Sequence, residues 1–493
     1  MQAEFFVFQS TLDRLWQYIL KHQDPQTPIT LAETPAELRS QVDLSLRDRG
    51  LSLEELLPYI DAYLDHSTAT VNPRFLNLLF GGVSLPGLLG EWVTSVTNTT
   101  LHTYDVAPLA TLMELELIHT LNQWVGFPQG DGVMVTGGSN ANLVALLCAR
   151  HRRCPEAKMQ GIGGQTLVAY VSDQAHYSYD RAVNTLGLGL KNLVKIPTTS
   201  LGQMDPQALE AAIEGSLAAG HLPFFIGATG GTTVRGAFDP LPPLADLAQT
   251  YHLWLHVDAA WGCPVLLHDR YRDLLQGCDR ADSFTWDAHK LMGVPLIASA
   301  LLVKEAGLLE SLFAGGGEDY LFHSPAHSPN HPSGHPFDCP STPSPSDDLG
   351  KRSLQCGRRV DAFKFWLSWK YYGHQGYRDR LDRLFMLRDY AVNWIQNCDR
   401  LELLEQPPFL NICFRYHPPQ WSGSTVELNT LNWQMRDRLV KTGSVLVNYA
   451  LFHQTQTQPE SPPPQGIIRL VLANPDTQPA DLDRLFQDFL DQA

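Results

Sequence analysis

The chain has 493 residues and carries 52 Asp and Glu against 36 Lys and Arg, for a net charge of −16 and a pI near 5.5. With 44% hydrophobic and 18% charged residues, it is neither a largely disordered protein nor a coiled coil, and its acidity argues against nucleic acid as the main partner, since phosphate binding needs a basic face. At roughly 100–200 residues per domain the length admits two to four units.

The N-terminus, MQAEFFVFQSTLDRLWQ, has no basic region followed by a small-residue cleavage site. No apolar stretch approaches the roughly 20 residues of a spanning helix. The expectation is therefore no membrane partner and a cytoplasmic location. The eight cysteines are scattered without a C-x-x-C, which suits reduced thiols and suggests no zinc site.

Taken in chain order, residues 1–70 read as helical. Leu12, Leu15, Trp16, Ile19 and Leu20 recur at helical spacing, as do apolar residues within 53–64. From about 105 to 305 short apolar runs alternate with helical patterns. The runs are 132–135, 166–171, 193–196, 224–228, 253–257 and 297–303. The helical patterns are 140–153, 178–185, 206–219 and 241–251. Unbroken apolar strands alternating with helices predict an α/β fold, with a mainly parallel sheet covered on both faces. Ligand chemistry in such sheets sits in the loops after the strands. Residues 323–346, HSPAHSPNHPSGHPFDCPSTPSPS, cannot form regular structure and predict a mobile loop. The remainder predicts a small α+β domain, with a helix near 378–395, strands at 410–416 and 467–472, and a terminal helix at 480–490.

The chemistry-bearing residues fall on successive strand-to-helix loops. Lys290, in DSFTWDAHKLMGVP, precedes an apolar run. Desolvation there would make it a candidate Schiff-base nucleophile, although a lysine taken alone reads better as a surface group with a buried stem. Asp258, in LWLHVDAAWG, ends another run and suits contact with a ligand's ring nitrogen, because a carboxylate favours the protonated ring. Gly137, Gly138 and Ser139 open a helix after a strand, where backbone N–H groups can cradle a phosphate. They match neither a dinucleotide fingerprint nor a P-loop. His176, in SDQAHYSYDRA, follows a strand where an imidazole could stack on a flat cofactor, and Thr233 lies in a further loop of this kind. Lysine, aspartate, histidine and a phosphate turn on successive strand-to-helix loops suggest pyridoxal 5′-phosphate.

With these motifs the chain resembles the group II pyridoxal-phosphate-dependent amino-acid decarboxylases, in their glutamate and cysteine-sulfinate decarboxylase branch. The resemblance runs from about Thr34 to Ala493 through NPRFLNLLFGG, LGEWVTSVTNTTLHTYDVAP, TGGSNANL, AHYSYDRA, GGTTVRGAFDP, HVDAAWG, DSFTWDAHKLMGVP and LQCGRRVDAFKFWLSWK. It implies fold type I, the aspartate-aminotransferase-like transferase fold. It also implies a homodimer in which residues 1–90 wrap the partner, a large cofactor-binding domain over 91–374 and a small domain over 375–493. By the same resemblance Lys290 carries the cofactor, Asp258 pairs with its ring nitrogen, and His176 stacks on the ring. Gly138, Ser139, Asp287 and His289 lie on the phosphate side, with Thr233 and Ala260 beside the cofactor. Arg469, in IIRLVLANP, binds the substrate α-carboxylate, for which a guanidinium offers two parallel donors. Leu78 and Phe80 face the substrate side chain. The implied reaction is α-decarboxylation of an L-amino acid to the amine, an acidic amino acid being favoured.

Three departures from the family pattern bear on this reading. The animal members carry a tyrosine on the mobile loop that returns a proton to the substrate carbon, whereas no tyrosine stands between Tyr320 and Tyr371 here. Loss of such an acid typically costs about 10²–10⁴-fold, and in the family a phenylalanine there is associated with an aldehyde product. His323, His327, His331 and His335 recur every four residues, but the prolines between them forbid the helix that would bring them together, so a lid is expected and no metal. The glutamate branch has an Asn-Gln-Leu stretch where this chain has Asn77, Leu78 and Leu79, and Asp287 replaces a more usual asparagine. Substrates such as 2,4-diaminobutyrate or an aromatic amino acid, an aldehyde-forming oxidase, and a non-catalytic cofactor-binding protein remain the alternatives.

Overall fold

The computed structural model describes residues 2–24, 26–313, 315, 321–322, 348–452 and 463–493. Tyr320 and the loop expected at 323–346 lie outside them. Among the described residues no helix is long and apolar enough to cross a membrane. The chain divides into two compact units, residues 84–381 and residues 1–83 with 382–493.

The larger unit holds seven strands: β1 (Asp131–Val135), β2 (Leu167–Ser172), β3 (Leu193–Ile196), β4 (Leu222–Thr229), β5 (Trp254–Asp258), β6 (Ser283–Asp287) and β7 (Ser299–Val303). Their order is β1-β7-β6-β5-β4-β2-β3. Pairs among β2 to β6 are parallel, and β7 runs antiparallel to both β1 and β6. This is the mainly parallel sheet that the apolar runs predict. The helices Gly138–Arg153, Ser178–Thr185, Pro206–Ala218 and Leu241–Thr250 follow the expected spans closely. Asp205 caps one of them by accepting from the N–H groups of Gln207 and Ala208, with Pro206 opening the helix. Two further helices, Leu85–Thr97 and Pro108–Val125, were not predicted. The core between sheet and helices is apolar, with Val144, Leu146, Ala169, Val171, Phe225 and Leu301 all at or below 2% exposure.

Strand β6 also escaped the sequence reading, and its composition explains why. Ser283, Thr285 and Asp287 alternate with Phe284 and Trp286, yet the whole strand is buried. Alternation normally marks a half-exposed strand. Here the polar positions turn inward, towards a polar network described below.

The smaller unit carries an antiparallel sheet of β8 (Leu401–Leu403), β9 (Asn411–Tyr416), β10 (Asn448–Phe452) and β11 (Gln465–Val471), in the order β10-β11-β9-β8. The helix Thr425–Lys441, started by a Ser424–Glu427 capping box, and the amphipathic helix Pro479–Leu490 belong to the same unit. The N-terminal segment joins it through a hydrogen bond from Ile29 N–H to the Gly443 carbonyl (2.8 Å) and a parallel bridge between Phe75 and Leu446.

Candidate active site

The C-terminal ends of β4, β5 and β6 bring most of the expected residues together. Period-two alternation places Trp254, His256 and Asp258 on one face of β5, and Ser283, Thr285 and Asp287 on one face of β6. The register sets His256 against Ser283 and Asp258 against Thr285. Both stripes are buried.

Asp258 ends β5 at 6% exposure. Its Oδ1 accepts from the Ala260 N–H (3.2 Å), so Ala260 serves as part of the turn that seats the carboxylate. Its Oδ2 accepts from the Asn142 side-chain amide (2.7 Å). The register places Thr229, at the end of β4, beside Asp258. The buried Thr229 hydroxyl has no hydrogen-bond partner among the described residues.

Asp287 ends β6. Its Oδ1 accepts from the Ser299 hydroxyl (2.6 Å), and its Oδ2 lies 3.3 Å from Lys290 Nζ and 3.7 Å from His289 Nε2. The Lys290 side chain retains 21% of its accessibility, so it is largely covered but not sealed off. Burial lowers the His289 pKa, with Asp287 opposing and Lys290 adding to the shift. His176, after β2, is lowered in the same way by burial, and Asp258, Lys290 and Asp287 all act on its charge. Its Nδ1 accepts from the Ser178 N–H (3.2 Å), which leaves Nε2 as the protonated nitrogen of the neutral ring.

Gly137 stands at φ 104°, a left-handed conformation that favours glycine, and Gly138 begins the helix Gly138–Arg153. A Cβ on Gly138 would lie 2.9 Å from Asp287 Oδ2 and 3.3 Å from the Ala260 Cβ. Ser139 is exposed beside it and Thr233 is partly buried in the loop after β4. The donor set fits pyridoxal 5′-phosphate: a helix start for the phosphate, an amine for the aldehyde, a carboxylate for the ring nitrogen and an imidazole for the ring face. The unpartnered Thr229 hydroxyl in this cluster is a further buried group that a polar ligand would satisfy.

The expected substrate residues lie in the smaller unit. Arg469, on β11, is buried, and its Nη2 donates to the Asn77 carbonyl (2.9 Å), which sets it beside the 77–80 segment. Burial lowers its pKa. Leu78 is 38% exposed, whereas Phe80 packs on Phe75 with ring centroids 5.8 Å apart.

Sequence reasoning missed Asn142, His256, Ser283, Thr285 and Ser299. The available signal was the alternation itself, a histidine two residues before Asp258 and polar residues two and four before Asp287.

The chain is similar to several known proteins. The family model described as the pyridoxal-dependent decarboxylase conserved domain matches residues 35–417. The cysteine sulfinic acid decarboxylase of Rattus norvegicus is 37% identical over 458 residues, covering 92% of this chain and 88% of that protein. The acidic amino acid decarboxylase GADL1 of Mus musculus is 34% identical over 495 residues, covering 99% and 85%. The crystal structure of mouse CSAD superposes with a TM-score of 0.89 at 34% identity, covering 98% of each chain. A Catharanthus roseus tryptophan decarboxylase shares the fold, with a TM-score of 0.83 at 23% identity. The chain therefore belongs to the pyridoxal-dependent decarboxylase family. It is a fold type I, pyridoxal-phosphate-dependent amino-acid decarboxylase, as the resemblance implied.

Proposed function

We propose that this enzyme removes the α-carboxylate of an acidic L-amino acid, such as cysteine sulfinate, aspartate or glutamate, and releases the amine. The observation that carries the reading is the convergence of Lys290, Asp258, His176 and the Gly138 helix start at one end of the large sheet. The relatives' preference for acidic substrates supports the choice of substrate class.

Pyridoxal phosphate, when bound, supplies an electron sink for the pair left behind as carbon dioxide departs. The protein's own groups do the rest. Lys290 would hold the cofactor through its amine. The Asp258 carboxylate would accept the ring N–H and keep it protonated, since an opposite charge favours the charged form. Gly138 and Ser139 N–H groups would hold the phosphate at the helix start, with Asp287 and His289 on the same side and Thr233 and Ala260 beside the cofactor. His176 would stack on the ring, and its Nε2–H is available as a proton donor. Arg469 takes the substrate carboxylate through its fork of donors, and Leu78 and Phe80 line the side-chain end.

We further infer a cytoplasmic homodimer with no membrane partner. Leu85, Leu89, Val93 and Val96 form an exposed apolar stripe on one helix of the larger unit, and Phe5, Phe6, Phe8 and Trp16 are exposed on the first helix of the smaller. Such faces suit a second copy of the chain, with residues 1–90 wrapping it. The large and small functional domains over 91–374 and 375–493 are part of the same reading.

The test is a product screen of the cofactor-loaded enzyme against cysteine sulfinate, aspartate, glutamate, 2,4-diaminobutyrate, tyrosine and DOPA, followed by mass spectrometry. One amine from an acidic substrate is expected. Turnover of only basic or aromatic substrates, or an aldehyde with peroxide, would overturn the proposal.

A further inference from the structure

Behind Asp258 lies a chain of buried hydrogen bonds that no substrate or cofactor contact requires. Trp254 Nε1 lies 2.8 Å from Ser283 Oγ, and Ser283 Oγ lies 2.8 Å from His256 Nδ1. His256 Nε2 lies 3.0 Å from Asn142 Oδ1, and Asn142 Nδ2 lies 2.7 Å from Asp258 Oδ2. Thr285 Oγ1 joins at 3.1 Å from both Asn142 Oδ1 and His256 Nε2, and Ser178 Oγ accepts the second Asn142 amide hydrogen at 2.9 Å. Asn142, His256, Ser283 and Thr285 are each no more than 1% exposed.

The direction of this chain follows from donor and acceptor chemistry. A carboxylate only accepts, so the Asn142 amide nitrogen must face Asp258. The Asn142 carbonyl then faces His256, which obliges His256 Nε2 to carry a hydrogen. Burial pushes the His256 pKa down to about 4, so the ring is neutral near pH 7 and its Nδ1 is an acceptor. The Ser283 hydroxyl must donate to that Nδ1. Its own lone pair then accepts from the Trp254 indole N–H, which can only donate. Every polar atom of the Asn142 side chain is used. Turning the amide over would set its carbonyl against the carboxylate and its NH2 against the His256 Nε2–H, and both bonds would be lost. A network satisfied at each member rigidifies its site, whereas one broken link leaves buried groups unpaired.

We propose that Asn142 and His256 are positioning residues that lock the Asp258 carboxylate in a single orientation, with one fixed N–H donor on Oδ2 and free lone pairs left for the cofactor's ring nitrogen. This rests on the assignment of Asp258 to that nitrogen. His256 acts through Asn142, and Asn142 acts through Asp258; neither needs to touch the cofactor. The strand supplies two links because residues two apart share a face. The helix Gly138–Arg153 supplies the third, Asn142.

The test uses holoenzyme reconstituted with cofactor labelled with ¹⁵N at the ring nitrogen. It reads the ring-nitrogen resonance, which separates protonated from unprotonated ring, and the cofactor dissociation constant. Asn142→Leu removes the N–H donor on Asp258 Oδ2 without adding a charge, which leaves the carboxylate more basic and free to turn. It is expected to move the resonance towards the unprotonated ring and to weaken cofactor binding about ten- to a hundred-fold, the size of one hydrogen bond to a charged group. His256→Leu should do the same more weakly, and His256→Gln, whose amide can still donate to Asn142 Oδ1, should restore both readouts. If Asn142→Leu fails to fold, as judged by circular dichroism, the His256 pair decides alone. Folded Asn142→Leu or His256→Leu protein with wild-type resonance and affinity would overturn the relay. Asp258→Ala is the separating control. If it moves the resonance while the relay variants do not, only the relay fails; if it leaves the resonance in place, the assignment of Asp258 fails and the relay with it.

Discussion

Two clusters of buried charge in the larger unit are built on opposite plans. Beside β1, each buried anion meets an arginine. Asp131 lies 2.7 Å from Arg352, and Glu114 lies 3.0 and 3.2 Å from Arg358, with the Met134 N–H completing its shell at 2.9 Å. At the ends of β5 and β6, the hydrogen bonds that Asp258 accepts come from neutral donors, and Asp287 faces a partly accessible lysine. An arginine partner consumes a buried carboxylate's charge, so the first plan holds structure together. Neutral donors fix a carboxylate's position and leave its charge for a ligand, so the second plan can do chemistry. Buried charge by itself does not distinguish a catalytic site from a structural one. Between these two clusters the partner's identity does.

Substitutions at the two clusters should therefore fail in different ways. Lys290→Ala should fold normally and lose turnover by more than about 10⁴-fold, with the absorption of protein-linked cofactor gone. Persistence of that absorption would remove Lys290 from its proposed role. Glu114→Ala should instead cost about 3–5 kcal/mol of stability by leaving a buried arginine without its anion. The fraction that remains folded should keep its cofactor spectrum and kcat. Denaturant titration alongside single-turnover kinetics separates the two effects, and a kcat loss without a stability loss would place Glu114 with the chemistry instead of the structure.

Asp258→Asn should keep its fold and lower kcat by about 10²–10³-fold, since it removes a preorganised charge. Steady-state kinetics and thermal melts on one preparation check this. Arg469→Met should raise KM about ten- to a hundred-fold, the worth of a charge-assisted hydrogen bond, with the cofactor spectrum unchanged. An unchanged KM would move the carboxylate site elsewhere.

The smallest expected effect concerns pH. His256 has its pKa depressed by burial from 6.5 to about 4. The unfolded chain therefore takes up this proton first as pH falls. The stability contributed by the neutral ring is fully present above about pH 6.5 and is lost progressively as pH falls through 4. His256→Gln should show a shallower fall in Tm than the parent across that window and the same Tm slope above it. Parallel slopes throughout would mean that His256 is not buried as a neutral group.

Much of the fold was legible in the sequence because the relevant signals are local. Continuous apolar runs marked six of the seven large-sheet strands to within a few residues, and glycines, lysine, aspartate and histidine stood at predictable strand ends. Strand β6 was lost because its polar residues face inward, where periodicity alone reads them as solvent-exposed. The helix Pro108–Val125 was missed although eight of its residues are buried, and Glu114 stands among them as a charge that burial rules would place outside.

What the sequence by itself determined is the set of elements, the order of the motifs and the chemical class of the site, since each depends on residues near one another in the chain. What only the tertiary structure decided is which buried polar groups meet. Asn142 reaches Asp258 across 116 positions and His256 across 114, and Arg358 reaches Glu114 across 244. Hydrogen-bond direction, imidazole tautomer and the choice between a neutral and a charged partner are properties of those distant pairs. They arise only when the sheet register and the helix crossing bring the donors and acceptors within 3 Å or so of one another.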